Sequence, residues 1–292
     1  MGFNSFGKYG EAFDEGRMHF AYVYKALTPT PAAANTFVDL NQTSGLPKYN
    51  AFVGSQYTFT PLTGTGNGGI YVGSYGSGSS TKHLMRMQAL NPGNASGGTA
   101  APPDYLHLCD YLGFYPLIDS DSIDQQDMDN STTLTRYTDG AGVRIVLIAT
   151  APMSSSATLT ISYTNSAGVA GRISSYSVYP ATSIGSCATA SGSTGAASTV
   201  SPFWPLVGGD QGVRSIESMT FSSPCGGFIC AALVKPIAGM GILELAVPSE
   251  KVFGFEVQNP PEIKPGAYLN FLWLRSNTAA ATFSGELIFI NS

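Results

Sequence analysis

Residues 114–130, FYPLIDSDSIDQQDMDN, place Asp119, Asp121, Asp124, Asp127 and Asp129 within eleven positions, with no lysine or arginine among them. Carboxylates this close repel one another, and the sequence leaves four readings of the cluster open. Hard oxygen ligands from Asp119, Asp121 and Asp124 can cage a calcium ion; the sixth position counted from Asp119 is Asp124, where an EF-hand needs glycine, so such a site is an irregular calcium loop. A carboxylate pair about 5–10 Å apart serves glycoside hydrolysis, with Tyr111, Phe114 and Tyr115 close in sequence as an aromatic subsite. A contact patch for a basic neighbour uses the same charge to steer assembly and set register, with Asp127 and Asp129 as its candidates. The fourth reading is a solvated acidic loop. Eight of the eleven aspartates lie between Asp104 and Asp139, against Arg136 as the only lysine or arginine there.

Other reactive groupings are sparse. GTGNGG (64–69) satisfies G-x-G-x-x-G through Gly64, Gly66 and Gly69, but IYVGSYGSGSS follows. A dinucleotide site needs a helix at that point, so the motif reads as a turn. The three histidines, His19, His83 and His107, form neither H-x3-H nor H-E-x-x-H, and no G-x-S-x-G elbow is present; a serine-type covalent hydrolase and a zinc protease find no motif here. Cys109, Cys187, Cys225 and Cys230 lack the paired spacing of a zinc site and are expected to be buried, reduced thiols. The expectation is a protein that is not an enzyme and carries no cofactor beyond a possible structural calcium.

Charged residues make up 11% of the chain, 14 basic and 19 acidic, for a net charge of −5, where about 25% is usual for soluble domains. With 43% apolar and 11% aromatic residues the chain builds a core readily, but it lacks an ordinary wet surface. Much of its exterior is expected to carry Ser, Thr, Gly and Asn or to be covered by other subunits. No basic cluster exists, so counterion release cannot drive nucleic-acid binding, and a polybasic membrane patch fails for the same reason. The opening MGFNSFGKYGEAFDEGRMHF has no apolar h-region, and no secretory signal is expected. GGFICAALVKPIAGMGILELAV (226–247) is long enough to suggest a membrane span, but Lys235 and Pro236 interrupt it, and two buried strands joined by a turn are expected instead.

The positioning elements are β. Residues 1–35 read as an extended arm in which Phe3, Phe6, Tyr9, Phe13 and Phe20 precede the Pro-rich TPTPAAANT; Phe3, Phe6, Tyr9 and Phe13 are its candidate partner contacts, with packing on the chain's own sandwich as the alternative. Residues 36–100 read as a small β-rich region with Gly-rich turns. NPGNASGGTAAPPDY (91–105) marks a boundary, and YLHLCDYLGFY suggests a short helix through Leu106, Cys109 and Leu112. Beyond it, GVRIVLIATA is a buried-strand run and ATLTISYTNSAGVAGRISSYSV an alternating hairpin; VRSIESMTFS, GGFICAALV, GILELAV, KVFGFEV, AYLNFLWLR and GELIFI continue the series. The expected fold is all-β: a jelly-roll-like β-sandwich over 101–292, with 185–202 as a surface excursion.

The order LCDYL-x-FYP, an acidic stretch, DN-x-T, RYTDG-x-GV and ISYTN, within residues 105–172, resembles a segment of uncharacterised virion proteins of tailed bacteriophages. The resemblance covers about a quarter of the chain and carries no catalytic residues with it. It implies a virion component built on a β-sandwich, either a head decoration (cement) protein or a tail-associated one. The expected partners are the major capsid protein or other virion proteins and further copies of this chain, as a trimer; the expected location is the virion, assembled in the bacterial cytoplasm. A tail or collar protein that binds host glycans, and a polysaccharide-cleaving enzyme using the aspartates, are the alternatives.

Overall fold

The computed structural model describes residues 6–26, 35–64, 67–73, 81–90, 104–191, 201–244, 247–253, 260–276 and 282–291. Helix α1 (Phe6–Asp14) leads into β1 (Met18–Lys25), β2 (Thr36–Asp39), a 3-10 turn (Leu40–Gln42), β3 (Gly45–Leu46), β4 (Thr60–Pro61) and β5 (Lys82–Leu90). Then come β6 (Asp104–Asp119), β7 (Gln126–Asp127), β8 (Arg144–Ala151), β9 (Thr158–Asn165), β10 (Arg172–Tyr179), β11 (Cys187–Ala190) and β12 (Val213–Phe221). The chain continues through β13 (Phe228–Ile242), β14 (Ser249–Val252), β15 (Glu262–Ile263), β16 (Leu269–Arg275) and β17 (Phe283–Asn291). All ladder pairs between these strands are antiparallel, and the all-β expectation holds.

Among the described residues the strands form two sheets. One has six strands, in the order β14-β5-β17-β1-β3 with β15 also on β5; the other has eleven, β2-β16-β6-β13-β8-β11-β10-β9-β12-β7, with β4 on β6. The larger sheet folds back on itself at β11, which pairs with β8 through Cys187 and Ala188 and with β10 through Thr189 and Ala190. One core fills that fold: Leu112, Ile145, Leu147, Ile229 and Leu233 face Leu159, Ile161, Ile216, Met219 and Phe221. A second core lies under the smaller sheet, where Val23, Leu84, Met87, Leu287 and Phe289 meet Leu106, Leu108, Phe271 and Trp273. The opposite face of the central strands is a third cluster that includes Tyr111, Phe114, Val146, Ile148 and Tyr268.

Strands β6 and β13 serve both main cores, and they run antiparallel along nearly their whole length. Asp110 lies in β6 between Leu108 of one core and Leu112 of the other. A charge there needs a partner, and Arg136 supplies one: its Nε and Nη2 donate to the two carboxylate oxygens at 2.9 and 2.7 Å. The same guanidinium donates to the carbonyls of Leu62 and Tyr111, each at 3.0 Å. Burial pushes the Asp110 carboxyl up, and the hydrogen bonds and charge of Arg136 pull it back.

Several expectations need correction. The helix suggested for YLHLCDYLGFY is part of β6. Leu106, Cys109 and Leu112, whose spacing suggested it, each belong to a different apolar cluster, because β6 is buried on both faces and shifts register at Leu112. The two strands expected in 226–247 are one, β13, with Pro236 next to a register shift and just beyond Val234, the last residue paired with β8. A proline missing its N–H is harmless where a strand has a neighbour on one side only. The described part of the N-terminal stretch is not a free arm: α1 is helical, and β1 alternates buried Ala21 and Val23 with exposed Phe20, Tyr22 and Tyr24 while pairing with β17 along its length. The boundary expected near residue 100 lies outside the described residues, and the β5–β17 and β1–β17 ladders join the segments on either side of it. Within 185–202, residues 187–190 are sheet, and 192–200 lie outside the described residues. Of GTGNGG, Thr65 and Gly66 lie outside them too, and no helix follows at Ile70, which bridges to Leu269. No helix among the described residues is long and apolar enough to cross a membrane.

Candidate interaction surface

The acidic stretch is a loop between β6 and β7 closed by one side chain. Gln126 accepts from the Asp119 N–H at 2.8 Å and donates to the Asp119 carbonyl at 2.8 Å, which ties the two ends together. Ser120 fixes the loop to the β12–β13 turn by donating to the Gly227 carbonyl at 3.0 Å. The carboxylates then serve the backbone: Asp119 accepts from Asp121 N at 2.9 Å, Asp121 from Gly226 N at 3.2 Å, and Asp129 from Ser131 N at 2.8 Å. The bonds to Asp119 and Asp129 are the local turns that aspartate favours, and the one to Asp121 ties the loop to the β12–β13 turn. Asp119, Asp121 and Asp124, the candidates for an irregular calcium loop, are not gathered into a cage; among the described residues no group of three or more His, Cys, Asp or Glu is placed to hold a metal. Asp121, Asp124, Asp127 and Asp129 are exposed, and no described ion pair neutralises any of them. They present a negative surface.

The aromatic candidates separate. Phe3 lies outside the described residues, as do the side chains of Phe6 and Tyr9 on α1. Phe13 is 59% exposed near the end of that helix, which seats Ala12 against Met85 and Ile290. The larger exposed aromatic surface is on β1: Phe20, Tyr22 and Tyr24 are 46%, 68% and 49% exposed on the outer face of the six-stranded sheet. Leu46 of β3, 63% exposed, extends the stripe because it pairs with Tyr24. Reading residues 1–35 as an arm obscured this stripe, although the alternation in MHFAYVYK signals it.

Behind β1 and β2 sits a buried polar network. Tyr111 Oη donates to Asp39 Oδ1 at 2.7 Å, Asn41 Nδ2 donates to the same oxygen at 3.2 Å, and Tyr268 Oη donates to Asn41 Oδ1 at 3.0 Å. Asp39 Oδ2 is buried without a hydrogen bond. Burial pushes the Asp39 carboxyl up to about 7 against the opposing pull of Tyr111, Asn41 and Lys25. Lys25 donates to the carbonyls of Thr43 and Pro47 at 3.1 and 2.6 Å, and burial lowers its ammonium to about 8. The four cysteines are buried, unpaired thiols, and burial raises each. Inert thiols and a fully packed carboxylate give this network a structural character, with no open face for a substrate.

No family model matches the chain, and no curated protein matches it. Among solved structures, the infectious bursal disease virus VP2 subviral particle aligns over 94% of this chain and 80% of that one, at 8% identity and a TM-score of 0.21. The T13 viral particle of the same virus aligns over 94% and 78%, at 11% identity and a TM-score of 0.20. Likeness at that level fixes neither fold nor role.

Proposed function

We propose that this chain is a structural subunit of a tailed-phage virion that binds the outside of the head shell as a decoration protein and works by contact, without turnover. The observation that carries the reading is the pairing of a charge-poor chain with an exposed aromatic sheet face. Phe20, Tyr22, Tyr24 and Leu46 leave water only if another surface covers them, and the charge opposite Tyr22, Glu286, is already paired with Arg86 at 2.6 Å. The sequence resemblance over 105–172 supports the virion setting. In this reading the chain forms a trimer, each copy bridges neighbouring shell subunits, and weak contacts repeated by symmetry resist opening of the shell. Asp127 and Asp129 lie on the negative surface and suit a basic neighbour.

Co-sedimentation of the purified chain with particle shells tests this. Replacing Phe20, Tyr22 and Tyr24 together by Ser is expected to lower attachment by at least about ten-fold while leaving the melting temperature nearly unchanged, because these side chains are outside both cores. Undiminished attachment of the triple variant would remove the aromatic face from the account.

A further inference from the structure

A cleft of about 300 Å³ opens between the 130–138 segment, β9 and β12. It is built from the two polar motifs that flank the end of the acidic stretch, DNSTT and RYTDG. Phe59 and Leu134 of the main core border it from below but are only 3% and 4% exposed. Its rim carries Thr132, Thr133 and Thr138, all exposed, whose hydroxyls have no protein partner among the described residues. Each is a donor and an acceptor together.

One cation joins them. Arg214 is the residue left over where β12 shifts register between Val213 and Ser215, and bulges of this kind re-aim a side chain. Its Nε donates to the Asp139 carbonyl at 3.1 Å and its Nη2 to the Ser166 carbonyl at 2.8 Å. Those bonds fix the guanidinium and leave Nη1 without a protein partner among the described residues. Asp129 and Asp139 accept from Ser131 N and Ala141 N, and neither forms an ion pair with Arg214 among the described residues. No Asp, Glu, His or Cys lines the cleft, so it holds no general acid or base.

We propose that this cleft binds a saccharide ring that bears a carboxylate, an acidic sugar of the uronic type. The ring hydroxyls exchange hydrogen bonds with the three threonines, and the carboxylate meets Arg214. A volume at the small end of ligand sites suits one ring. A guanidinium holds a carboxylate through charge-assisted hydrogen bonds. This goes beyond the particle role and stands or falls without it.

Saturation-transfer NMR and calorimetry on the full chain, with glucuronate and glucose as probes, decide the matter. Glucuronate is expected to bind with a Kd on the order of 1 mM and glucose at least about ten-fold more weakly. Arg214→Gln is expected to abolish that preference. The double variant Thr133→Val, Thr138→Val alters two exposed side chains of matching shape, so circular dichroism should be unchanged while glucuronate affinity falls about ten-fold. Absence of transfer to glucuronate, or equal affinity in the native chain and both variants, would overturn the assignment.

Discussion

At the scale of single residues, Asp39 makes the sharpest claim. Its carboxyl is buried among Tyr111, Asn41 and the thiols of Cys109, Cys187 and Cys230, with Lys25 as the opposing charge. Between the ordinary aspartate value, about 3.9, and about 7, the folded chain keeps a proton that the unfolded chain releases. The contribution of Asp39 is therefore fully present below pH 4 and is lost as pH rises to 7, at up to about 1.4 kcal/mol per pH unit. Lys25 acts in another window: its lowered value makes stability rise from pH 8 toward the ordinary lysine range. Denaturant unfolding at a series of pH values should show the Asp39 slope in the native chain and not in Asp39→Asn; identical slopes would contradict the assignment. Nothing in TFVDL marks Asp39 as buried, because a lone aspartate in a strand-like run looks the same on either face of a sheet. The acidic stretch was legible as a feature but not in its use: local spacing revealed the repulsion, while the closing amide of Gln126 depends on a backbone path that spacing does not specify.

At the scale of elements, the strands with clean alternation were readable. β9 and β10 appear where the period of two puts Leu159, Ile161 and Tyr163 on one face, and β8 follows from its β-branched run. The reading failed at β6 and β13, for one physical reason. Both strands are buried on two faces and carry register shifts, so apolar residues recur at threes and a proline sits mid-strand. β1 was missed in a different way, since the glycines and aromatics around it suggested a loose arm. Its structure changes what a truncation should do. Ala21 and Val23 fill the core beneath the smaller sheet, and β1 pairs with β17 from Met18 to Lys25. Deleting residues 1–30 is thus expected to destabilise that sheet by several kcal/mol. Thermal or denaturant melts of the truncated and full chains check this, and equal stability would show that β1 is dispensable.

At the scale of the whole molecule, composition and packing point the same way. Among the described residues, Lys25, Lys82, Arg136 and Arg275 are buried, so an exterior already short of charge loses four of its cations to the interior. Two cores sharing β6 and β13 make a stiff body, and the Asp110–Arg136 pair sits between Leu108 of one and Leu112 of the other. Removing either partner would strand a buried charge. A stiff body with an aromatic face on one sheet and a negative loop at the end of β6 is suited to holding neighbours in register. Fold class was legible because it follows from the number and spacing of strands; the division of those strands between two sheets was not, because β17 closes a sheet with β1 and β5 across most of the chain.

The most direct measurement is electron microscopy of purified particles labelled with an antibody raised against this chain. The expected result is label at a repeated position on the head shell, lost when Phe20, Tyr22 and Tyr24 are replaced by Ser. Recovery of the chain solely as free monomer, with unlabelled particles of full stability, would contradict the account.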